Sequence, residues 1–132
     1  MKVVLANGCF DPLHGGHVLH LKAARALGDK LIVSVTRNEY VNKGPERPAW
    51  DEKVRMAVVA ELRCVDEVIL VKDALEALEL VRPNVFVKGA EYRGKIQPRH
   101  QAYCFANRIR IAFTDEQIYS STRLLHDRIR QG

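Results

Sequence analysis

Short, almost wholly apolar runs alternate with amphipathic stretches from one end of the chain to the other, and this constrains the fold more than any other feature. The runs predict strands at Lys2–Ala6, Lys30–Val35, Glu67–Val71, Val85–Lys88 and Arg108–Phe113. Helical periodicity fits His17–Leu27, Asp51–Leu62, Leu75–Val81 and Ser120–Arg130, with a weaker candidate over Pro98–Asn107. A strand with no polar side has no face to give to water, so such runs belong in a parallel sheet covered by helices on both faces. The expected architecture is α/β, a single doubly wound domain over residues 1–132 with a five-stranded parallel sheet. Gly28 is expected to end the first helix and Asp51 to cap the start of the second.

In such sheets ligands bind beyond the carboxyl ends of the strands. Any chemistry is therefore expected just after Ala6, Val35, Val87 and Phe113. The stretch after Ala6 reads NGCFDPLHGGH, Asn7 to His17. Gly15 and Gly16 let a ligand approach the backbone with no Cβ in the way. The helix that follows offers unpaired N–H groups and a positive dipole end, which suit a phosphate. His14 and His17 flank that turn, so both imidazoles can converge on one anion. Zinc is the competing reading of two histidines, but only Asp11 or Cys9 stands near enough to be a third ligand. A satisfied core or surface role fits His20, His100 and His126 better than it fits this pair. The chain has neither G-x-x-x-x-G-K-[ST] nor G-x-G-x-x-G, which argues against a P-loop or a dinucleotide fingerprint.

Lysine and arginine exceed aspartate and glutamate by 21 to 16, a net charge of +5. That suits a polyanion, either a nucleoside triphosphate or a nucleic acid. No nucleic-acid motif is present and aromatics make up 7% of residues, too few for a stacking platform, so no nucleic-acid partner is expected. Cys9, Cys64 and Cys104 are odd in number and lack metal spacing, which predicts reduced thiols. With no signal peptide and no membrane-length apolar run, a cytoplasmic protein without membrane contact is expected.

The stretch GCFDPLHGGH resembles the signature of the cytidylyltransferase-like nucleotidyltransferases, whose H-x-G-H element is matched by His14, Gly16 and His17. LGDKLIVSV (27–35) is similar to that family's second strand and its approach. NKGPERP (42–48) with EKVRM (52–56) resembles its basic loop and following helix. FVKGAEY (86–92) and YSSTRLL (119–125) resemble its lysine-glycine turn and the start of its closing helix. The matches keep the family's order and fall at strand ends. The resemblance implies a Rossmann-like fold of nucleotidyltransferase type, with His14, His17 and Lys43 as catalytic residues. It assigns nucleotide binding to Gly8, Cys9, Phe10, Asp11, Gly16, Arg55, Lys88, Gly89, Ser120, Ser121 and Thr122. Substrate binding falls to Asn7, Arg47, Glu91 and Tyr92. It also implies Mg²⁺ carried with ATP or CTP, no dedicated metal cage, and a homodimer as the family's habit. Each residue has a plainer alternative: Lys43 as a solvated loop lysine, Arg55 as a surface residue, Lys88 and Gly89 as a strand end and turn, and Ser120 to Thr122 as ordinary helix caps.

Within that family, KG-x-x-RP, VKGAEY and SST look most like the adenylyltransferases that make ADP-heptose from a heptose 1-phosphate. Glycerol-3-phosphate cytidylyltransferases are the runner-up; they carry R-T-x-G-[IV]-S-T where this chain reads FTDEQIYSST. Either acceptor brings a phosphate monoester whose second pKa is near ~6, so it attacks as an anion without a general base. A non-catalytic nucleotide-binding module on the same fold is the alternative of another class. A mere binder has no need of paired imidazoles at a phosphate corner.

Overall fold

The computed structural model describes residues 1–115. The helix expected over Ser120–Arg130, and with it Ser120, Ser121 and Thr122, lies outside the described residues. The strands are β1 (Val3–Gly8), β2 (Lys30–Thr36), β3 (Glu67–Val71), β4 (Val85–Gly89) and β5 (Arg110–Thr114). Between them run α1 (Gly15–Arg25), α2 (Glu52–Ala60), α3 (Ala74–Val81) and α4 (Pro98–Ala106), with 3-10 turns at Asn38–Tyr40 and Ala90–Tyr92.

All five strands are parallel, in the order β3-β2-β1-β4-β5. The chain therefore winds outward in one direction from β1 and then in the other, and the reversal falls between β1 and β4. Side chains alternate across the sheet. Val4, Ala6, Val33, Val35, Val85 and Val87 pack with Leu21 and Ala24 of α1 and Val59 of α2. On the opposite face, Leu5, Ile32 and Phe86 pack with Ala77 and Leu78 of α3 and Cys104 of α4. Both faces are covered, which is why the strands read as unbroken apolar runs.

Three expectations change. α1 starts at Gly15, two residues early, because His14 takes the N-cap and accepts the Gly16 N–H. Gly28 does not end the helix; Ala26 does, in ordinary right-handed geometry. Gly28 is small because a Cβ there would sit 2.8 Å from both the Lys2 carbonyl oxygen and Val4 Cγ2. β5 starts at Arg110, not Arg108, since Arg108 adopts a left-handed φ of 57° to turn out of α4. Asp51 caps α2 as expected, accepting the Lys53 N–H at 3.0 Å.

Candidate active site

The carboxyl ends of β1, β2, β4 and β5 surround a crevice of about 540 Å³. β1 and the corner after it supply Asn7, Gly8, Cys9 and Phe10; α1 and its N-cap supply His14, Gly16, His17 and His20. Thr36 and Lys43 close one side, and Val87, Lys88, Gly89, Glu91, Tyr92 and Thr114 close the other. The crevice opens where the winding reverses.

The two imidazoles at the first turn of α1 hold one another in place. His14 Nδ1 accepts the Gly16 N–H at 3.0 Å, and His17 Nδ1 accepts the His14 N–H at 3.1 Å. Because both Nδ1 atoms accept, the hydrogen-bond pattern assigns the ring proton of each neutral imidazole to Nε2. The ring centroids are 3.8 Å apart with planes 30° off parallel, and Phe10 meets the His17 ring edge-on at 5.2 Å. Burial, and then the neighbouring Lys43 charge, hold His14 below its ordinary pKa. Burial also dominates at His17, with His14, Lys43 and His20 adding repulsion, and its pKa falls to about 4. Near neutral pH the corner therefore presents uncharged N–H donors beside the lysine of the loop.

That depression has a consequence for stability. Near pH 6.5 the unfolded chain takes up protons that native His17 refuses, so the folded state loses stability as pH falls from about 6.5 toward 4. The urea midpoint should be lower at pH 5.5 than at pH 7.5. In His17→Asn, which keeps an acceptor for the His14 N–H, this loss should shrink. A pH slope untouched by the substitution would contradict the assignment.

The far side of the crevice is built around Lys88. Its ammonium stands 4.3 Å from the Tyr92 ring centroid and 5.8 Å from that of Phe86, and burial lowers its pKa against the opposing pull of Glu91. The Glu91 carboxylate folds back over Gly89, where a Cβ would lie 2.5 and 2.6 Å from its two oxygens. A side chain at residue 89 would push the flexible Glu91 carboxylate out of this position. His20 Nδ1 and Thr114 Oγ1 are 2.7 Å apart, tying α1 to the end of β5.

A family model described as Cytidylyltransferase-like matches residues 5–126. The chain belongs to the cytidylyltransferase-like family. It is 52% identical over 95 residues to Bifunctional protein HldE of Azotobacter vinelandii, covering 69% of this chain and 20% of that protein. The protein of the same name from Magnetococcus marinus is 47% identical over 96 residues, covering 70% of this chain and 20% of its own length. The chain thus spans about a fifth of these curated relatives. Among solved structures it is similar to the lipopolysaccharide core biosynthesis protein of Thermoplasma volcanium GSS1. That likeness has a TM-score of 0.74 and 31% identity, over 87% of this chain and 97% of that one.

Against the family's pattern the structure sorts the expected residues into three groups. Asn7, Gly8, Cys9, Phe10, His14, Gly16, His17, Lys43, Lys88, Gly89, Glu91 and Tyr92 all line the crevice. Ser120, Ser121 and Thr122 lie outside the described residues.

Asp11, Arg47 and Arg55 make up the third group and do not line the crevice. The Asp11 side chain is wholly buried and accepts from Arg47 Nε at 2.8 Å, Ala49 N at 2.7 Å and Trp50 N at 2.9 Å. Burial alone would raise its pKa, but Arg47 and the two backbone N–H groups together hold the carboxyl below its ordinary value. Arg47 is spent on that contact, donating also to the Asp11 carbonyl. Arg55 is not a surface residue: it is 2% exposed and hydrogen-bonds within the protein. Asp11 and Arg55 thus pin the segment carrying Lys43 instead of presenting their charges to the crevice.

Four lining residues carry no role in the sequence expectations: His20, Thr36, Val87 and Thr114. His20, read as a plain core or surface histidine, faces the crevice together with Thr36 and Thr114. His20 lies three positions after His17, on the same side of a helix, and that spacing was the available signal. Thr36 and Thr114 end strands whose apolar runs hid them. His100 is buried, but its Nε2 has no partner among the described residues.

Proposed function

We propose that the chain is a nucleotidyltransferase that moves a nucleoside monophosphate, AMP in preference to CMP, from a nucleoside triphosphate to the phosphate of a sugar 1-phosphate such as heptose 1-phosphate. The observation that carries this reading is the stacked pair His14 and His17, whose Nε2–H groups meet no acceptor among the described residues, at a helix N-terminus with Lys43 on the same crevice. An acceptor oxygen attacks the α-phosphorus, the bond to the bridging oxygen breaks, and pyrophosphate leaves with the electron pair. Negative charge grows on the phosphoryl oxygens and the leaving group, where fixed N–H donors and a lysine stabilise it most. The acceptor phosphate is already an anion near neutral pH, so the step needs no base.

Similarity to the HldE proteins at 47–52% identity supports the heptose branch of the family over the glycerol-phosphate one. The Glu91 carboxylate and His20 can serve the hydroxyls of a sugar or ribose. All the Asp11 contacts are internal, so a divalent ion such as Mg²⁺ would enter on the triphosphate and not on this carboxylate.

The test is magnesium-dependent pyrophosphate release, with ATP and CTP each crossed against heptose 1-phosphate, other sugar 1-phosphates and glycerol 3-phosphate. The expected result is release from ATP with a sugar 1-phosphate and little from the remaining pairs. Release only from CTP with glycerol 3-phosphate would move the chain to the cytidylyl branch. Nucleotide binding without release from any pair would favour a non-catalytic module.

A further inference from the structure

The clearest anomaly in the fold is a buried cation. Arg55 is 2% exposed, and its three hydrogen bonds go to oxygens that carry no full charge. Nε donates to the Trp50 carbonyl at 2.9 Å, Nη1 to the Cys9 carbonyl at 2.9 Å, and Nη2 to Asn38 Oδ1 at 2.8 Å. Among the described residues no carboxylate lies within ion-pair distance of it. A guanidinium held this way is costly unless the fold or a ligand gains something from the position.

The Cys9 contact shows what is gained. The Cys9–Phe10 peptide is trans, so its N–H points opposite to its C=O. With the carbonyl drawn toward Arg55, the Phe10 N–H is turned away from it, and both Cys9 and Phe10 line the crevice. That N–H meets no acceptor among the described residues. Phe10 also holds a left-handed φ of 51°, unfavourable for an aromatic residue, and its buried ring touches His17 edge-on at 5.2 Å. Strain at one residue, an unused donor and a cation behind the same peptide are three observations at one place. A hydrogen bond to a peptide carbonyl also strengthens the donor at its other end.

We propose that Arg55, acting through the Cys9–Phe10 peptide, is a positioning residue that aims the Phe10 N–H at a phosphoryl oxygen of the bound triphosphate. Arg55 itself touches no substrate. The proposal rests on the nucleotidyl-transfer reading and adds to it a backbone donor and the side chain that fixes it.

Selective labelling gives a direct test. With [¹³C′]cysteine and [¹⁵N]phenylalanine, only the Cys9–Phe10 and Cys104–Phe105 amides give carbonyl-filtered signals. Phe105, 90% exposed on α4, is the control. Titrating the full chain with magnesium pyrophosphate, and separately with magnesium ATP, should move the Phe10 amide proton downfield and leave Phe105 in place. Arg55→Lys keeps the charge but cannot reach all three oxygens. It should lose most of that shift and lower kcat 10- to 100-fold, with the nucleotide KM changed less than threefold. A merely structural arginine would lower the melting temperature while leaving kcat per folded molecule unchanged, and that outcome overturns the proposal. A Phe10 amide unmoved in the unaltered protein, while the His14 and His17 ring signals shift, also overturns it and leaves the proposed function standing. If none of these signals responds, both fall. The first titration needs no variant, so a failure of Arg55→Lys to fold does not rescue the idea.

Discussion

Replacing His17 by alanine should lower kcat by about 10²- to 10³-fold while the protein stays folded. The size follows from what one preorganised donor at a site of growing charge contributes. His17 is the better of the two histidines to remove because Phe10 and His14 flank its ring and its Nε2–H meets no acceptor among the described residues. The structural cost is one acceptor for the His14 N–H, about 1 kcal/mol, since that amide stands at a helix end where water can replace the contact. Steady-state pyrophosphate release and a thermal melt on the same preparation separate the two effects. Turnover within threefold of the unaltered protein would remove the imidazole pair from the mechanism. A collapse of the melt would instead make His17 a structural residue.

Asp11→Ala should do the reverse: destabilise strongly and impair activity through the loop. The substitution orphans the N–H groups of Ala49 and Trp50 and leaves Arg47 without its carboxylate. Breaking a buried pair from one side costs about 3–5 kcal/mol, and the lower end applies here because the Arg47 side chain, 33% exposed, can turn to water. For a chain of this size that corresponds to a fall in Tm of roughly 10 °C. Among molecules that remain folded, the nucleotide KM should rise, because the Lys43 segment is no longer tied to the corner. A loss below about 1 kcal/mol, measured in urea, would show that the loop holds its place by other means.

The sheet was legible because burial on both faces leaves a plain mark, the unbroken apolar run, and each of the five runs became a strand at nearly the expected residues. The corner of the crevice was legible for a different reason: two histidines around Gly15 and Gly16 are hard to account for as packing, and His14, Gly16 and His17 do line it. What could not be read was the destination of single charged side chains. Asp11 and Arg55 sit within the family's own motifs, and nothing in their spacing distinguishes a residue that meets a ligand from one that holds the loop beside it. Apart from Trp50 for Arg55, their partners (Ala49 and Trp50 for Asp11, Cys9 and Asn38 for Arg55) are distant in sequence and appear only once the chain is folded. His20 is hard to read for the opposite reason: a histidine on a helix is usually ordinary packing, so its three-residue spacing from His17 is a weak signal until Thr114, at the end of β5, is seen beside it.

The two buried ions bracket a replaceable part. Asn38, held by Arg55 and Asp51, and Arg47, held by Asp11, act as fixed posts. The eight residues between them hang free of the core, and Gly44 has nothing within 4 Å of where a Cβ would be. A segment mounted in this way can be exchanged for another of equal span without repacking the sheet. Residues 39–46 therefore form a cassette, through which the Lys43 side of the crevice can be changed by grafting while the imidazole pair and the strands stay as they are.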